Sequence, residues 1–345
     1  MDSVRLGAPI GLRDDPAQLA RDARSLEAAG IDHFWVGEAY TADGVSTMGF
    51  LAAVTERATI GSSIVPLYSR TPTLLAMTAL GVHKLSQGRC VLGLGASGPQ
   101  VVEGFHGVPY DAPLERTREI IVICRMVWRG DKVEYHGDRY EIPLPAARGT
   151  GMGKALRIRD HALPAQIPIY VAALGPKNVA LTAELADGWL PLHYWPEHAD
   201  VWADARRAGE AIRSPELGPL QVVAGGPLCI TEDYRERRER SRAELAFYFG
   251  GMGARAQNFY NDLLRRYGYE QEAAAIQDAW LDGRQADAAA LVPAALVDGT
   301  SFVGPASWVR ERIEAFRASG VTIVNVQPTG PNKLRDVETV REWLG

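Results

Sequence analysis

Two stretches near opposite ends of the chain read as one unit written twice. LARDARSLEAAGIDHFWVGE (19–38) and WVRERIEAFRASGVTIVNVQP (308–328) each run helix, glycine, apolar strand. Leu19, Ala23 and Leu26 fall at the spacing of one helix face, and Val309, Ile313 and Phe316 repeat it. Gly30 and Gly320 end the two helices, because a residue without Cβ accepts the positive φ that closes a helix. A chain that opens and closes on the same βα module has few folds available.

The alternation continues between them. Strands are predicted over 4–10, 33–37, 59–65, 90–95, 167–173, 188–192, 220–230 and 321–326, and helices over 16–29, 72–86, 114–128, 177–186, 197–212 and 308–319. Runs such as VLGLG, IYVAA and IVNV are continuously apolar, as in parallel strands covered on both faces. Eight such strands with intervening helices predict an α/β fold, a (β/α)8 TIM barrel, with a doubly wound open sheet as the alternative. The 345 residues are read as a single barrel domain, 1–345, with insertions at about 131–166 and 231–293. The larger insertion falls directly between strands seven and eight, hence at the carboxyl face where barrel active sites are built. A surface elaboration for dimer contact is the other reading.

Charge and cysteine usage exclude several functions. Lys+Arg 37 against Asp+Glu 42 leaves −5, with no basic block for nucleic acid. Cys90, Cys124 and Cys229 lie far apart without CxxC spacing, which argues against a disulfide framework or cysteine-rich zinc site and for a reducing, cytoplasmic setting. The opening MDSVRLGAPIGLRDD does not have the pattern of a signal peptide. No stretch reaches the roughly 18 apolar residues of a membrane span. The seven histidines show no HExxH spacing, so no metal is expected, and neither a GxSxG elbow nor a Cys/His pair is present. His193, just past strand six, and His106 are histidines of uncertain role, more often structural than not. Helix 72–86 is apolar around most of its circumference (Leu74, Leu75, Met77, Leu80, Val82, Leu85), which predicts a homodimer through this region.

Two turns carry the candidate chemistry. Gly93-Leu94-Gly95-Ala96-Ser97-Gly98 satisfies GxGxxG after a strand, but three βα units precede it and Pro99-Gln100 follows. It is therefore not read as a dinucleotide fingerprint, which opens its domain and leads straight into a helix. What remains is a turn of small residues, Ala96, Ser97 and Gly98, with N–H groups open to one phosphate, or simply a tight turn. Ala172-Ala173-Leu174-Gly175-Pro176 is a second small-residue turn between a buried strand and a helix, whose N-terminus suits an anion. Together they suggest a phosphorylated cofactor. Glu38 ends strand two toward the same face, as a carboxylate that binds a ring, moves a proton or caps a loop. Gly61-Ser62-Ser63-Ile64-Val65-Pro66 sets two serines and a proline in a core strand, which predicts a bulge or a strained backbone.

GIDHFWVGEAY, IGSSIVPLYSRTPTLLAMTALGVHKLSQGRCVLGLGASGPQVVEGFHG and IPIYVAALGPKNVALTAELADGWLPL resemble the luciferase-like monooxygenase superfamily. Within it they are similar to the branch using the deazaflavin coenzyme F420, including methylenetetrahydromethanopterin reductase-like oxidoreductases. The resemblance covers nearly the whole chain, and the Ser-Gly-Pro-Gln run is its most branch-specific part. It implies a barrel whose carboxyl-end loops hold the deazaflavin. Ala96, Ser97, Gly98 and Pro99, with Ala172, Ala173, Leu174, Gly175 and the helix-opening Pro176, would line its ring and phosphate. Ser63 and Ile64 would back the ring, joined by a non-proline cis peptide. Glu38 occupies the place of an acidic residue near the ring and is the expected proton-handling group. Sugar-phosphate dehydrogenase members follow that acid with His and carry a catalytic Glu where this chain has Gly98; here Ala39 follows, so their substrate class is not expected. The implied activity is hydride transfer between F420 and a small-molecule substrate. The alternatives are an FMN-dependent monooxygenase and a non-catalytic flavin-binding barrel.

Overall fold

Eight parallel strands close on themselves. The computed structural model describes residues 4–160 and 166–345, and within it β1 (Arg5–Pro9), β2 (His33–Val36), β3 (Thr59–Ser62), β4 (Cys90–Gly95), β5 (Ile169–Val171), β6 (Gly188–Trp189), β7 (Gln221–Ile230) and β8 (Ile323–Pro328) follow one another around a ring. In β1, Ala8 lies opposite Phe34 of β2 and Leu6 opposite Val324 of β8, so β1 shuts the barrel. The open-sheet alternative is thereby excluded; the fold is the (β/α)8 barrel.

The outer helices are α1 (Pro16–Ala28), α2 (Gly44–Val54), α3 (Pro72–Leu85), α4 (Pro113–Trp128), α5 (Pro176–Leu185) and α6 (Ala203–Glu210). Each of α1 and α3 opens on a capping side chain followed by proline: Asp15 accepts from the Ala17 N–H and Thr71 from the Leu74 N–H. Leu19 and Ala23 of α1 are buried as their spacing demands, and Gly30 and Gly320 have φ of 112° and 94°. Two details differ from the sequence reading. Helix α2 was not foreseen, and 197–212 is a 3-10 turn, Pro196–Trp202, followed by α6, with a kink at His198.

The amino-terminal half of the barrel is filled by rings lying against strand backbone. Trp35 packs on Tyr170 with ring centroids 5.7 Å apart, and His33 stacks on Trp35 at the same distance. Space for these rings comes from glycines on neighbouring strands. A Cβ at Gly61 would sit 2.3 Å from Trp35 Cζ3, and one at Gly188 would sit 2.6 Å from the Tyr170 ring. Burial, helped by the charge of Arg5, pushes the His33 imidazole down to about 3.

The insertions behave differently from each other. In the first, a hairpin (Tyr135–His136 with Glu141–Ile142) is pinned to α4, where the Glu119 carboxylate accepts from the Asp138, Arg139 and Tyr140 N–H groups. Lys84 of α3 pairs with Asp160 farther along. The described part of this insertion thus follows the outer helices; its remaining residues, 161–165, lie outside the described residues. The second insertion runs beyond 293. It contains α7 (Arg235–Ala246), a π-helical turn Phe247–Gly251, α8 (Phe259–Arg266), α9 (Glu270–Leu281), α10 (Gln285–Leu291), α11 (Ala294–Gly299) and a short strand, Phe302–Gly304, that pairs with the end of β7. Then α12 (Ala306–Ala318) leads into β8, and α13 (Lys333–Leu344) closes the chain. Among the described residues no helix is long and apolar enough to cross a membrane.

Candidate active site

At the carboxyl ends of β3, β4 and β5 the backbone forms a floor of small residues. Strand β3 stops at Ser62, the Ser63–Ile64 peptide is cis, and pairing resumes at Val65–Pro66 beside Leu94 and Gly95. Ser62 tolerates the core because its hydroxyl donates to the Gly93 carbonyl and accepts from the Gly93 N–H, both at 2.8 Å. Gly95 lies directly against Ile64: a Cβ on it would meet Ile64 Cγ1 at 2.7 Å and Ala172 Cβ at 3.5 Å. The Ala172 N–H donates to the Leu94 carbonyl at 2.9 Å. Ile64, Gly95 and Ala172, from three strand ends, therefore share one surface.

Two uncapped backbone turns border that floor. Ser97 holds φ of 58°, and Gly98 opens a single helical turn, Pro99–Val102, without a side-chain cap. Gly175 opens the longer α5, again uncapped, and nothing lies within 4 Å of where its Cβ would be. The carbonyls of this second turn are all engaged: Ala172 by Asn178, Ala173 by Trp189, and Leu174 by both Trp202 and Arg266. A cleft of about 370 Å³ opens over it, lined by Gly175, Pro176, Phe259, Asp262, Arg265 and Arg266. Arg266 spends Nη2 on the Leu174 carbonyl at 2.8 Å, while its Nη1 is buried without a partner. A larger cavity, about 680 Å³, lies among α4, α5 and α6, away from the strand ends; its Arg118 is already paired with Glu184.

Glu38 is occupied. Arg70 Nη1 donates to its Oε1 at 2.6 Å and Nη2 to its Oε2 at 2.9 Å, and the Gly44 N–H adds a third bond to Oε2. The same guanidinium reaches Asp43 at 2.7 Å. Burial pushes the Asp43 carboxyl up, but hydrogen bonds from Ser46 and the Arg70 charge outweigh it and hold it below the usual carboxylate range. Its hydrogen bonds to Glu38 raise the pKa of Arg70 in turn, so that side chain keeps its charge.

His193 follows β6 with φ of 54°, its carbonyl accepting from the Tyr267 hydroxyl at 2.9 Å. Its ring lies among Tyr248, Phe249 and Tyr260 of the second insertion, and burial pushes it down to about 3, so it is neutral at physiological pH.

Comparison with known proteins gives the family and agrees on the barrel fold. The luciferase-like monooxygenase family model matches residues 2–322. The chain belongs to that family. A Mycobacterium tuberculosis protein, provisionally named a coenzyme F420-dependent oxidoreductase, is 40% identical over 97% of this chain and 98% of its own length. The 5,10-methylenetetrahydromethanopterin reductase of Archaeoglobus fulgidus is 29% identical over 91% of this chain and 90% of its own. Among solved structures, the coenzyme F420-dependent tetrahydromethanopterin reductase of Methanopyrus kandleri superposes with a TM-score of 0.78 at 25% identity, covering 98% of this chain and 97% of that one. This luciferase-like protein is thus an enzyme of the oxidoreductase class.

The barrel brings Ser63 and Ile64 to the floor, with Ala172 against them. It sets Ala96, Ser97, Gly98 and Pro99 at the first turn and Ala173, Leu174, Gly175 and Pro176 at the second. Three partners escaped the sequence reading. Arg70 sits within the motif that contains the serines, yet nothing local ties it to Glu38, 32 residues away. Arg266 reaches Leu174 across 92 residues of chain. Tyr248 lies in an aromatic stretch that is evident in the sequence, but which of its rings meet His193 is decided by the π-helical turn.

Proposed function

We propose that this luciferase-like enzyme is an F420-dependent oxidoreductase, moving a hydride between the deazaflavin and a small organic substrate. The observation that carries this reading is the cleft over the uncapped start of α5, with the Arg266 side chain in its lining. An anionic group placed there gains a helix N-terminus and a guanidinium together. The identity and coverage of the F420-named relatives support the choice of cofactor. When bound, a deazaflavin supplies a carbon centre that takes up or releases a hydride. Leu174, Gly175 and Pro176 with Arg266 would hold its phosphate, Ala96, Ser97, Gly98 and Pro99 with Ala172 and Ala173 would flank the ring, and Ser63 and Ile64 would lie behind it. Of the residues flanking and backing the ring, Ile64 alone has a large side chain, so a flat ring would meet mostly backbone and small side chains there.

Glu38 takes part as a positioning residue in this proposal. It fixes Arg70 and, through the Gly44 N–H, the loop after β2. A proton-transfer role for Glu38 would require it to leave that pair, and the neutral variant Glu38→Gln measures whether turnover needs its charge. The three cysteines are buried and free, in keeping with a reducing compartment.

Fluorescence titration of the purified protein with F420 and with FMN tests the reading. F420 is expected to saturate the protein, with at least tenfold weaker binding in Arg266→Ala. Tight binding of FMN with no binding of F420 would overturn it in favour of the monooxygenase alternative.

A further inference from the structure

The loops after β2, β4, β6 and β7 meet in a collar of aromatic rings. Tyr40 and Phe105 face each other at 6.3 Å, both largely exposed. Across the mouth, His193 packs edge-on to Tyr248 at 4.6 Å and touches Phe249 and Tyr260, which in turn lies 5.0 Å from Tyr248. Tyr40 lies close enough to Tyr248 to add, after burial and Glu244, to the upward push on the Tyr248 phenol, so the two halves confront one another. The hydroxyls of Tyr248 and Tyr260 have no hydrogen-bond partner among the described residues.

The charges nearby do not suit an anion. Arg70, at the end of the loop after β3, is consumed by Glu38 and Asp43. Glu244, one helical turn before Tyr248, is exposed and forms no ion pair among the described residues; burial first and the Glu244 charge second push the Tyr248 phenol up. A phosphate or carboxylate brought into the collar would meet an acid and phenols with no guanidinium to receive it. The Arg266 guanidinium, which spends Nη2 on the Leu174 carbonyl, lies instead at the Leu174 turn, on the far end of α8 from Tyr260.

We infer that the collar takes an uncharged substrate, with an apolar ring or chain against the aromatic side chains and a carbonyl or hydroxyl oxygen hydrogen-bonded to the Tyr248 and Tyr260 hydroxyls. This deepens the hydride-transfer reading and rests on it for placing the substrate at this mouth. Aromatic faces accept a flat apolar body at low entropic cost, and phenols accept or donate to one neutral oxygen.

A matched pair of probes tests this: acetophenone and benzoate, which share a ring and differ in charge. Saturation-transfer NMR measures their binding to the protein with and without saturating F420, in the parent and in Tyr248→Phe, Tyr260→Phe and Arg266→Ala. Acetophenone should bind at least tenfold more tightly than benzoate in the F420-saturated protein. Its dissociation constant should rise at least fivefold in Tyr248→Phe or Tyr260→Phe, while F420 affinity stays within twofold. Benzoate binding that equals acetophenone and survives Arg266→Ala would overturn the inference, as would acetophenone binding indifferent to both hydroxyls. Failure of F420 to bind would sink the cofactor reading alone, since the probe comparison is also read without it.

Discussion

Arg70 is the side chain on which the loops after β2 and β3 meet. Its guanidinium fork matches the Glu38 carboxylate bidentately, a geometry lysine does not reproduce. With both side chains mostly buried, Glu38→Ala leaves Arg70 only Asp43 as a carboxylate partner and should cost about 1–3 kcal/mol in urea unfolding. Removing Arg70 as well, in Glu38→Ala/Arg70→Met, should restore much of that loss, and a double variant as unstable as the sum of the singles would refute the coupling. Gly175 offers a cleaner probe of ligand binding. Its φ of −71° suits any residue and open space surrounds its Cβ position, so Gly175→Val should leave the melting temperature unchanged. The new side chain occupies the cleft, and F420 affinity should fall at least tenfold by fluorescence titration.

The strands of the barrel are held apart by what fills it. Because the Gly61 Cα and the Trp35 ring are both inside a closed ring of strands, neither can retreat, and Gly61→Ala should cost about 1–3 kcal/mol. Thermal unfolding checks this; an unchanged midpoint would show that the ring has room to move. Elements were legible in the sequence where one face alone meets the core. Leu19 and Ala23 of α1, and Val309, Ile313 and Phe316 of α12, are buried and their neighbours are not. Helix α2 escaped because its sequence, GVSTMGFLAAV, is apolar on every side and leaves no stripe to read. Continuous apolar runs marked the strands for the same reason in reverse: parallel strands bury both faces. The candidate site was half legible. Turns of small residues such as Gly98 and Gly175 are local features and stand out, whereas Arg70 and Arg266 act on them only through tertiary packing, which no local pattern encodes.

Across the molecule, His33 sets an acid limit on stability. Folded, it is held at about 3; unfolded, it returns to 6.5, so protons favour the unfolded chain. Its contribution is complete above pH 6.5 and declines as pH falls from there toward 3, by up to about 1.4 kcal/mol per pH unit. Urea unfolding across that window should show the decline in the parent and a shallower one in His33→Phe. The helical ring also exposes apolar surface. Leu74, Met77 and Leu85 of α3 are 44%, 53% and 61% accessible, and Leu144, Met152 and Leu156 of the first insertion are exposed as well. We propose that a second copy covers this face; sedimentation should give a dimer that Met77→Glu dissociates, and a monomeric parent at micromolar concentration would refute it. Helix α8 has a consequence of another kind. Tyr260 and Arg266 sit on it less than two turns apart, one facing the mouth and one the Leu174 turn. A segment exchanged between two relatives at the ends of β7 and α12 would transplant both residues in a single step.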